Sequence, residues 1–489
     1  MRYDKNNARD ATGNVVSNDS GFSPRLAALW DINGNGRDRV DAGYARYVSK
    51  ITDGNAGGAG NAAGTPALFQ WFYNGPAVNP LDANKNIIGT PQAPQAALTT
   101  LFNWFNTQMC DSQGRCGINA TGLLAGSSFP GFTQKILNPI KSPNVDEFSI
   151  GYGHQFGSTA FAKLDLITRD WHDFYGLEVN QSTGHITAPN GVVSDLAVLQ
   201  NVNSDIKRTY RAAQMQFGWR PNRFNFGGGY TYSKLRGNDV GEADGTATSA
   251  QTASSIFYPE YTHFLNDARQ PIGFLSGDVT HRARVFAGYD MPTRLGTFNL
   301  SAIESADSGR AYSAIGSVDP TGTNANFLFA GSPTLPTYYT PVNSGSGKNV
   351  PSQLSTAQNY YFSSRGAFRT PSIFSTDLAL NYELPISRAS IFAQGQVVNV
   401  FNNSRVNNLV GGQFDTTILT TRSNGAANTG LSAFNPFTAT PVECPQGASI
   451  ATCKSLNANW QKGPNFGKGL SKDAFQTPRT YRVALGLRF

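Results

Sequence analysis

The chain has 489 residues, which is long enough for several soluble domains or for one large barrel. Apolar residues make up 39% of it, the mean hydropathy is -0.33, and no apolar run reaches about 18 residues, so the sequence excludes a transmembrane helix. The net charge of +7 comes from Lys and Arg residues that are spread singly rather than in blocks, which argues against nucleic-acid binding.

The start of the chain predicts a strand tail followed by a hairpin. Residues 2–9 contain neither an apolar signal-peptide core nor a cleavage site, so we predict no signal peptide here and interpret them as the end of a strand. Residues 22–31 and 38–50 alternate like strands around a Gly- and Asn-rich turn. The turn partly matches an EF-hand loop, but Ala42 stands where the bidentate Glu belongs, which disfavours calcium.

The next part, about residues 51–142, loses the period of two and is interpreted as a long loop with a short helix near residues 95–109. Two close pairs of cysteines lie in loop-like stretches, Cys110 with Cys116 and Cys444 with Cys453. Their spacing does not match a zinc site, and no cluster of His residues lies nearby. We therefore predict two local disulfides, formed in an oxidising compartment, rather than free thiols.

Four further pairs of strands follow, each with apolar residues on one face and polar or small residues on the other. They cover about residues 147–169, 207–233, 279–304 and 373–401, and a single strand closes the chain at residues 477–489. The turns within the pairs have about three to seven residues, whereas the connections between pairs are much longer. We place long loops at about residues 51–142, 237–277, 307–369 and 402–476.

Candidate catalytic groups are few. The cluster Trp171-His172-Asp173-Phe174-Tyr175 admits a catalytic interpretation, but aromatic residues at a strand end favour an interfacial girdle of a membrane barrel. The sequence has no nucleophile-elbow, metalloprotease or phosphate-loop motif. We therefore predict that the protein is not an enzyme and that it has no catalytic, cofactor-binding or metal-binding residue.

The last strand carries Tyr481, Val483, Leu485, Leu487 and Phe489 on one face. A soluble sandwich would show similar alternation. The regular change between short and long connections instead favours a membrane barrel with periplasmic turns and extracellular loops. We predict an all-β fold, a transmembrane antiparallel up-and-down β-barrel of about eleven strands. Because bacterial barrels have even strand numbers, we expect upstream strands that this sequence does not contain.

Four short motifs carry a family resemblance. They are Gly21-Phe22-Ser23-Pro24-Arg25-Leu26, Tyr44-Ala45-Arg46-Tyr47, Asn399-Val400-Phe401-Asn402, and Thr477-Pro478-Arg479-Thr480-Tyr481 before the closing Phe489. The chain resembles the C-terminal half of the barrel of TonB-dependent outer-membrane receptors, most closely the Oar-like subgroup. Barrels of that family have about 22 strands, so residues 1–489 are expected to form the second half of one. The family's plug domain, which fills the lumen and contacts TonB, is not found in this sequence.

The resemblance implies a receptor in the bacterial outer membrane that binds or takes up an unidentified extracellular ligand, without a cofactor. It also implies three partners: membrane lipid, TonB through a plug, and the assembly machinery, which reads a C-terminal strand such as the one ending at Phe489. A passive porin-like channel and a secreted all-β binding or adhesion protein are the alternatives. The candidate ligand contacts are the loop aromatics Trp71, Phe72, Tyr73, Tyr338, Tyr339, Tyr360 and Tyr361, although such residues also occur in loops without a ligand.

Overall fold

A computed structural model gives the arrangement of most of the chain. It describes residues 2–9, 15–48, 68–113, 116, 124–128, 134–179, 185–187, 193–195, 197–203, 206–239, 256–257, 264–268, 270–318, 342–343, 349–350, 358–386, 389–409, 413–423, 426–427 and 430–488.

Eleven strands form one antiparallel sheet in which neighbours along the chain are also neighbours in space. They are β1 (Arg25–Asp31), β2 (Asp38–Val48), β3 (Asn144–Phe156), β4 (Ala160–His172), β5 (Arg208–Trp219), β6 (Phe224–Gly237), β7 (His281–Pro292), β8 (Thr297–Asp307), β9 (Ile373–Ile386), β10 (Ala389–Val398) and β11 (Thr480–Arg488). The short strand Gly273–Phe274 also pairs with the end of β6. The predicted all-β fold with about eleven antiparallel strands is confirmed.

The connections differ strongly between the two ends of the sheet. At one end, called the turn end here, they span two to six residues: 32–37, 157–159, 220–223, 293–296 and 387–388, the last of which lies outside the described residues. At the other, the loop end, they cover residues 49–143, 173–207, 238–280, 308–372 and 399–479. All five long connections between the strands of this sheet therefore lie at the loop end.

The long connections contain short elements of their own. Helix α1 (Pro94–Met109) begins with a proline in its first turn, and helix α2 (Ile450–Ser455) is capped by Ser449, whose side chain accepts a hydrogen bond from the Thr452 amide. Single 3₁₀ turns lie at Leu265–Asp267 and Lys472–Ala474. Short strands lie at Leu68–Trp71, Leu124–Ser128, Gln134–Lys135, Tyr175–Val179, His185–Thr187, Val193–Asp195, Ala197–Asn201, Ile256–Phe257, Ala311–Tyr312, Ile315–Val318, Val342–Asn343, Asn349–Val350, Gln358–Tyr361, Phe368–Arg369, Ile418–Leu419, Arg422–Ser423, Ala426–Ala427, Glu443–Cys444 and Trp460–Lys462.

The first described residues form one strand of a separate hairpin. Strand Arg2–Arg9 pairs antiparallel with Val15–Ser23, so that Arg2 lies opposite Ser23. Strand Val15–Ser23 is separated from β1 only by Pro24, whose carbonyl accepts a hydrogen bond from the Arg46 amide of β2. This hairpin therefore extends the sheet on its loop end.

One face of the sheet is apolar and exposed. Leu300 pairs with Leu380, which pairs with Gly395, which in turn pairs with Val483, so an apolar row crosses four strands. Other exposed residues of this face are Phe148, Ile150, Leu164, Leu166, Met215, Leu378, Tyr481 and Leu485. Soluble monomers rarely expose so large an apolar surface, which fits the lipid-facing side expected from the sequence. Among the described residues, no helix is long and apolar enough to cross a membrane.

The cluster at residues 171–175 does not form the expected girdle. Tyr175 is buried against Val16, Ile140 and Leu199 in a small core made by the loops. Trp171 follows Arg169 at a spacing of two along β4 and so lies on the polar face. The apolar face carries other aromatic residues near its ends: Tyr44, Phe148, Tyr230 and Tyr232 towards the loop end, and Trp30, Trp219, Tyr289, Phe298 and Tyr382 towards the turn end.

Candidate functional site

The polar face of the sheet carries charges that neutralise one another across strands. Lys163 on β4 lies between two carboxylates, with its Nζ 2.8 Å from Asp165 Oδ1 and 3.1 Å from Asp41 Oδ1 on β2. These groups meet above Gly151 of the intervening strand β3. A Cβ atom at Gly151 would lie 2.3 Å from Asp165 Oδ1, so a larger residue there would push this carboxylate away from its present position.

We expect Gly151→Ala to reduce the free energy of unfolding by about 1–3 kcal/mol, because the new methyl group must displace Asp165 from its ion pair. Urea titration of the protein folded in detergent micelles measures this. Gly153→Ala is the matched control, since its Cβ would meet nothing closer than Lys163 Cγ at 3.7 Å. Equal losses for the two variants would contradict the crowding at Gly151.

Further along the polar face the charges are also paired. Arg169 on β4 forms an ion pair with Glu147 on β3. Arg284 Nη1 on β7 lies 2.7 Å from Asp307 Oδ1 on β8, and Arg282 Nε lies 3.4 Å from the same oxygen. These cross-strand pairs balance many of the charges on a surface that water can wet.

A recess of about 1080 Å³ opens on the polar face at the turn end. Its lining includes Gly153, Gly218 and Gly229, whose missing side chains leave space. Phe161 fits over Gly218, where a Cβ would approach its ring to 2.5 Å. The charged residues of the lining include Arg37, Arg39, Arg220, Lys163, Asp41 and Arg284.

At the loop end, three long connections fold together into one core, called the loop cluster here. Its buried members are Phe264, Ala268, Ala314, Val318, Tyr360, Phe362, Ile418, Trp460 and Phe466. The ring centroids of Tyr360 and Phe264 lie 5.3 Å apart, and those of Phe362 and Trp460 lie 5.8 Å apart. Phe264, Tyr360 and Trp460 come from three different connections. Their packing therefore holds these three connections together at the loop end of the sheet.

Two backbone hydrogen bonds strengthen the loop cluster. The Tyr361 amide donates to the Ala268 carbonyl at 2.6 Å, and the Leu265 amide donates to the Pro436 carbonyl at 2.9 Å. Each bond joins two different long connections. The cluster is therefore held by main-chain contacts as well as by aromatic packing.

Burial raises the pKa of Tyr360 to about 12 from its ordinary value of 10.0. The neutral phenol is favoured in the folded state, so its contribution to stability is complete below pH 10 and is lost as the pH rises towards about 12. We expect the loop cluster to lose roughly 3 kcal/mol of stability in this window. Limited proteolysis of the loops as a function of pH measures it. Tyr360→Phe cannot ionise, and an unchanged alkaline transition in that variant would contradict the assignment to Tyr360.

Asp278 anchors the loop cluster to the sheet. Its side chain is fully buried and lies just before β7, where Oδ1 accepts a hydrogen bond from the Leu235 amide of β6 and Oδ2 accepts one from Thr280 Oγ1. Arg369 Nη2, from the connection before β9, donates to Asp278 Oδ2 at 2.6 Å. One carboxylate thus joins strand β6 to two of the long connections.

The sequence matches the family model described as "Outer membrane beta barrel domain" over residues 1–433. The chain belongs to the outer-membrane β-barrel domain family. Membership accounts for the two-faced sheet and locates the protein in the bacterial outer membrane, where the exposed apolar face contacts lipid. No curated protein matches the chain.

Several solved outer-membrane proteins have a similar structure. The ferric preacinetobactin receptor BauA of Acinetobacter baumannii is 12% identical with a TM-score of 0.37, and the alignment covers 80% of this chain and 33% of that one. The outer membrane transporter YddB of Escherichia coli is 12% identical with a TM-score of 0.38, over 79% and 38%. The ferric enterobactin receptor of Pseudomonas aeruginosa is 11% identical with a TM-score of 0.39, over 96% and 40%. The chain thus spans only 33% to 40% of the length of these proteins.

The structure places the loop aromatics of this outer-membrane chain in two regions. In the first long connection, Phe72 is exposed, while Trp71 and Tyr73 pack edge-on against Phe105 and Trp104 of α1. In the fourth, the Tyr361 ring lies 4.5 Å from the Arg365 guanidinium carbon. Tyr360 is only 2% exposed, so its ring serves the loop cluster and is closed to a ligand. Tyr338 and Tyr339 lie outside the described residues.

The cysteines and the terminal strand complete the residues named from sequence. Cys110 is bonded to Cys116 directly after α1, and Cys444 is bonded to Cys453, whose sulfurs are buried beside Ala458. Tyr481, Val483, Leu485 and Leu487 follow one another along the apolar face of β11. Phe489 lies outside the described residues. No group of three metal-binding side chains occurs in the part of the chain that the structure describes.

Two features of the site have no counterpart in the motifs of the sequence. The loop cluster joins residues that are far apart in the chain and follow no period. The recess depends on which residues of β2 to β5 stand opposite one another, and the only local signal was the frequency of glycine on the polar positions of those strands.

Proposed function

We propose that this chain is the barrel part of a TonB-dependent outer-membrane receptor that binds or takes up an extracellular ligand. The observation that carries the proposal is the sheet itself: an apolar face for lipid, a charged face for a wet lumen, and all long connections at one end, three of which fold into one core. A folded loop cluster above a lumen offers a surface on which an external ligand is captured first. The exposed Phe72 and the half-buried Tyr361 are the proposed ligand contacts.

The proposal includes strands beyond the eleven seen here. Among the described residues, β1 pairs only with β2 and β11 pairs only with β10, which leaves two sheet edges with unpaired backbone groups. Unpaired backbone groups are costly in lipid, so a spanning sheet closes on itself. We propose that about eleven more strands complete a barrel of about 22, and that a plug outside this sequence provides the contact with TonB.

Energy dependence separates this function from its alternatives. Bacteria with and without the gene are grown in spent medium, and compounds that disappear only in the presence of the gene are identified by mass spectrometry. Their uptake is then measured with and without a protonophore, and in a strain that lacks TonB. For a TonB-dependent receptor, internal accumulation stops in both cases. Unchanged accumulation identifies a passive channel, and surface binding without any accumulation identifies an adhesion protein.

We expect deletion of Phe489 to reduce insertion of the protein into the outer membrane several-fold, because the assembly machinery is proposed to read the terminal aromatic residue of β11. The measurement is the heat-modifiable band in outer-membrane fractions. Phe489→Tyr keeps an aromatic ring at the terminus and serves as the control. Normal heat-modifiable migration of the deletion variant would show that the assembly machinery does not need Phe489.

A further inference from the structure

The recess at the turn end carries positive charge that the sheet itself leaves unbalanced. Lys163 and Arg284 of its lining are already paired with carboxylates on the polar face. By contrast, Arg37, Arg39 and Arg220 form no ion pair with any residue that the structure describes, and the carboxylate nearest in register is Asp31, opposite Arg39. An exposed arginine is ordinary in water, but three in the lining of one recess focus a positive potential there.

The backbone around the recess holds these arginines in place. The Arg37 carbonyl accepts a hydrogen bond from the Gln155 amide at 2.8 Å, and the Arg220 amide donates to the Thr159 carbonyl at 2.8 Å. Arg39 stands opposite Gly153 in the register of β2 and β3. The arginines therefore belong to neighbouring turns and strands, and the three strand spacings from β2 to β5 place the backbone of Arg220 about 14 Å across the sheet from Arg37 and Arg39.

The volume and the charge of the recess indicate the class of ligand that it binds. A volume of about 1080 Å³ exceeds the pockets of about 300–1,000 Å³ that hold small ligands, and it suits several residues of a polypeptide. Guanidinium groups match carboxylates in bidentate pairs. The recess lies on the polar face, away from lipid tails. We propose that it binds an acidic polypeptide segment whose carboxylates pair with Arg37, Arg39 and Arg220. This inference is independent of what the barrel transports.

The test uses the full-length protein that contains this chain, folded in detergent micelles, and a fluorescein-labelled peptide of about eight residues, alternating Glu and Ser, which is long enough to reach from Arg37 to Arg220. Binding is followed by fluorescence anisotropy at low and high salt. We expect saturable binding that weakens with salt, and at least about tenfold weaker binding after Arg37→Gln, Arg39→Gln and Arg220→Gln are combined. A peptide of Gly and Ser alone is expected not to bind.

A charge-matched control distinguishes the recess from general electrostatics. Lys85→Gln, Arg223→Gln and Arg294→Gln remove the same net charge from residues that do not line the recess. This variant is expected to bind within about twofold of the parent. Equal losses in both triple variants, or no loss in the first, would overturn the proposal. So would displacement of the peptide by micellar phosphatidylglycerol, which would assign the arginines to a lipid headgroup.

Folding of each variant is checked by its heat-modifiable band. If the triple variant does not fold, Arg220→Gln alone provides the measurement, because this residue lies in a turn. We expect it to weaken binding about threefold, consistent with the loss of one charge contact near the surface. Binding that is unchanged in Arg220→Gln would then count against the proposal.

Discussion

Leu380→Arg is expected to destabilise the folded protein by about 2–4 kcal/mol, because the guanidinium would enter the middle of the lipid-facing side. Leu380 lies at the centre of β9, between Leu300 of β8 and Gly395 of β10, and its side chain is exposed on the apolar face. The loss is measured as the change in unfolding free energy when the protein is folded into lipid vesicles and titrated with urea.

The neighbouring residue supplies the matched control. Asn381 follows Leu380 in β9 and therefore lies on the opposite, polar face, beside Asn299 of β8. Asn381→Arg introduces the same side chain one position away and is expected to change stability by less than about 1 kcal/mol. A larger loss of unfolding free energy for Asn381→Arg than for Leu380→Arg would contradict the assignment of the two faces. It would also contradict the proposal that the polar face lines a lumen.

Asp278→Ala is expected to destabilise the loop cluster by about 3 kcal/mol. The substitution leaves the Leu235 amide and the Arg369 guanidinium without the buried acceptor that both now share. Removal of one partner of a buried pair is more damaging than loss of the pair itself, because the remaining charge stays uncompensated. Protease cleavage of the long connections should therefore become roughly 100-fold faster.

A second acidic residue of the loops provides the reference for this effect. Asp473 is exposed and lies within the short 3₁₀ turn Lys472–Ala474 near β11, so Asp473→Ala should leave the cleavage rate within about twofold of the parent. Asp278→Asn keeps an acceptor for the Leu235 amide but loses the charge opposite Arg369, and an intermediate rate is expected. If Asp278→Ala were cleaved no faster than Asp473→Ala, the carboxylate would not be the anchor of the cluster.

The sheet was predictable from sequence because its information is local. A strand such as β11 shows its two faces in the alternation of Tyr481, Val483 and Leu485 with polar or small residues, and no knowledge of the partner strand is needed. The same holds for connection lengths, which follow from the spacing of strands along the chain. The girdle assigned to residues 171–175 was wrong because Tyr175 is buried by contacts with Val16 and Leu199, which no local pattern shows.

The candidate site depended on contacts between distant residues. Asp278 and Arg369 are 91 residues apart, and only the folded loops bring the two charges together. Which charges on the polar face are neutralised also depends on register, since Lys163 meets Asp41 across β3, whereas Arg37, Arg39 and Arg220 form no ion pair in the described part of the chain.

The sequence alone therefore determined an all-β membrane sheet, its lipid face and the order of its strands, because these follow from a period of two and from the lengths of the connections. Only the tertiary structure decided that three of the long loops share a core, that the Tyr360 ring is buried in it, and that a recess at the turn end is lined by three arginines without an ion pair in the described part of the chain. Those features arise from side chains that approach one another across strands and loops, and such distances are not encoded in any local repeat.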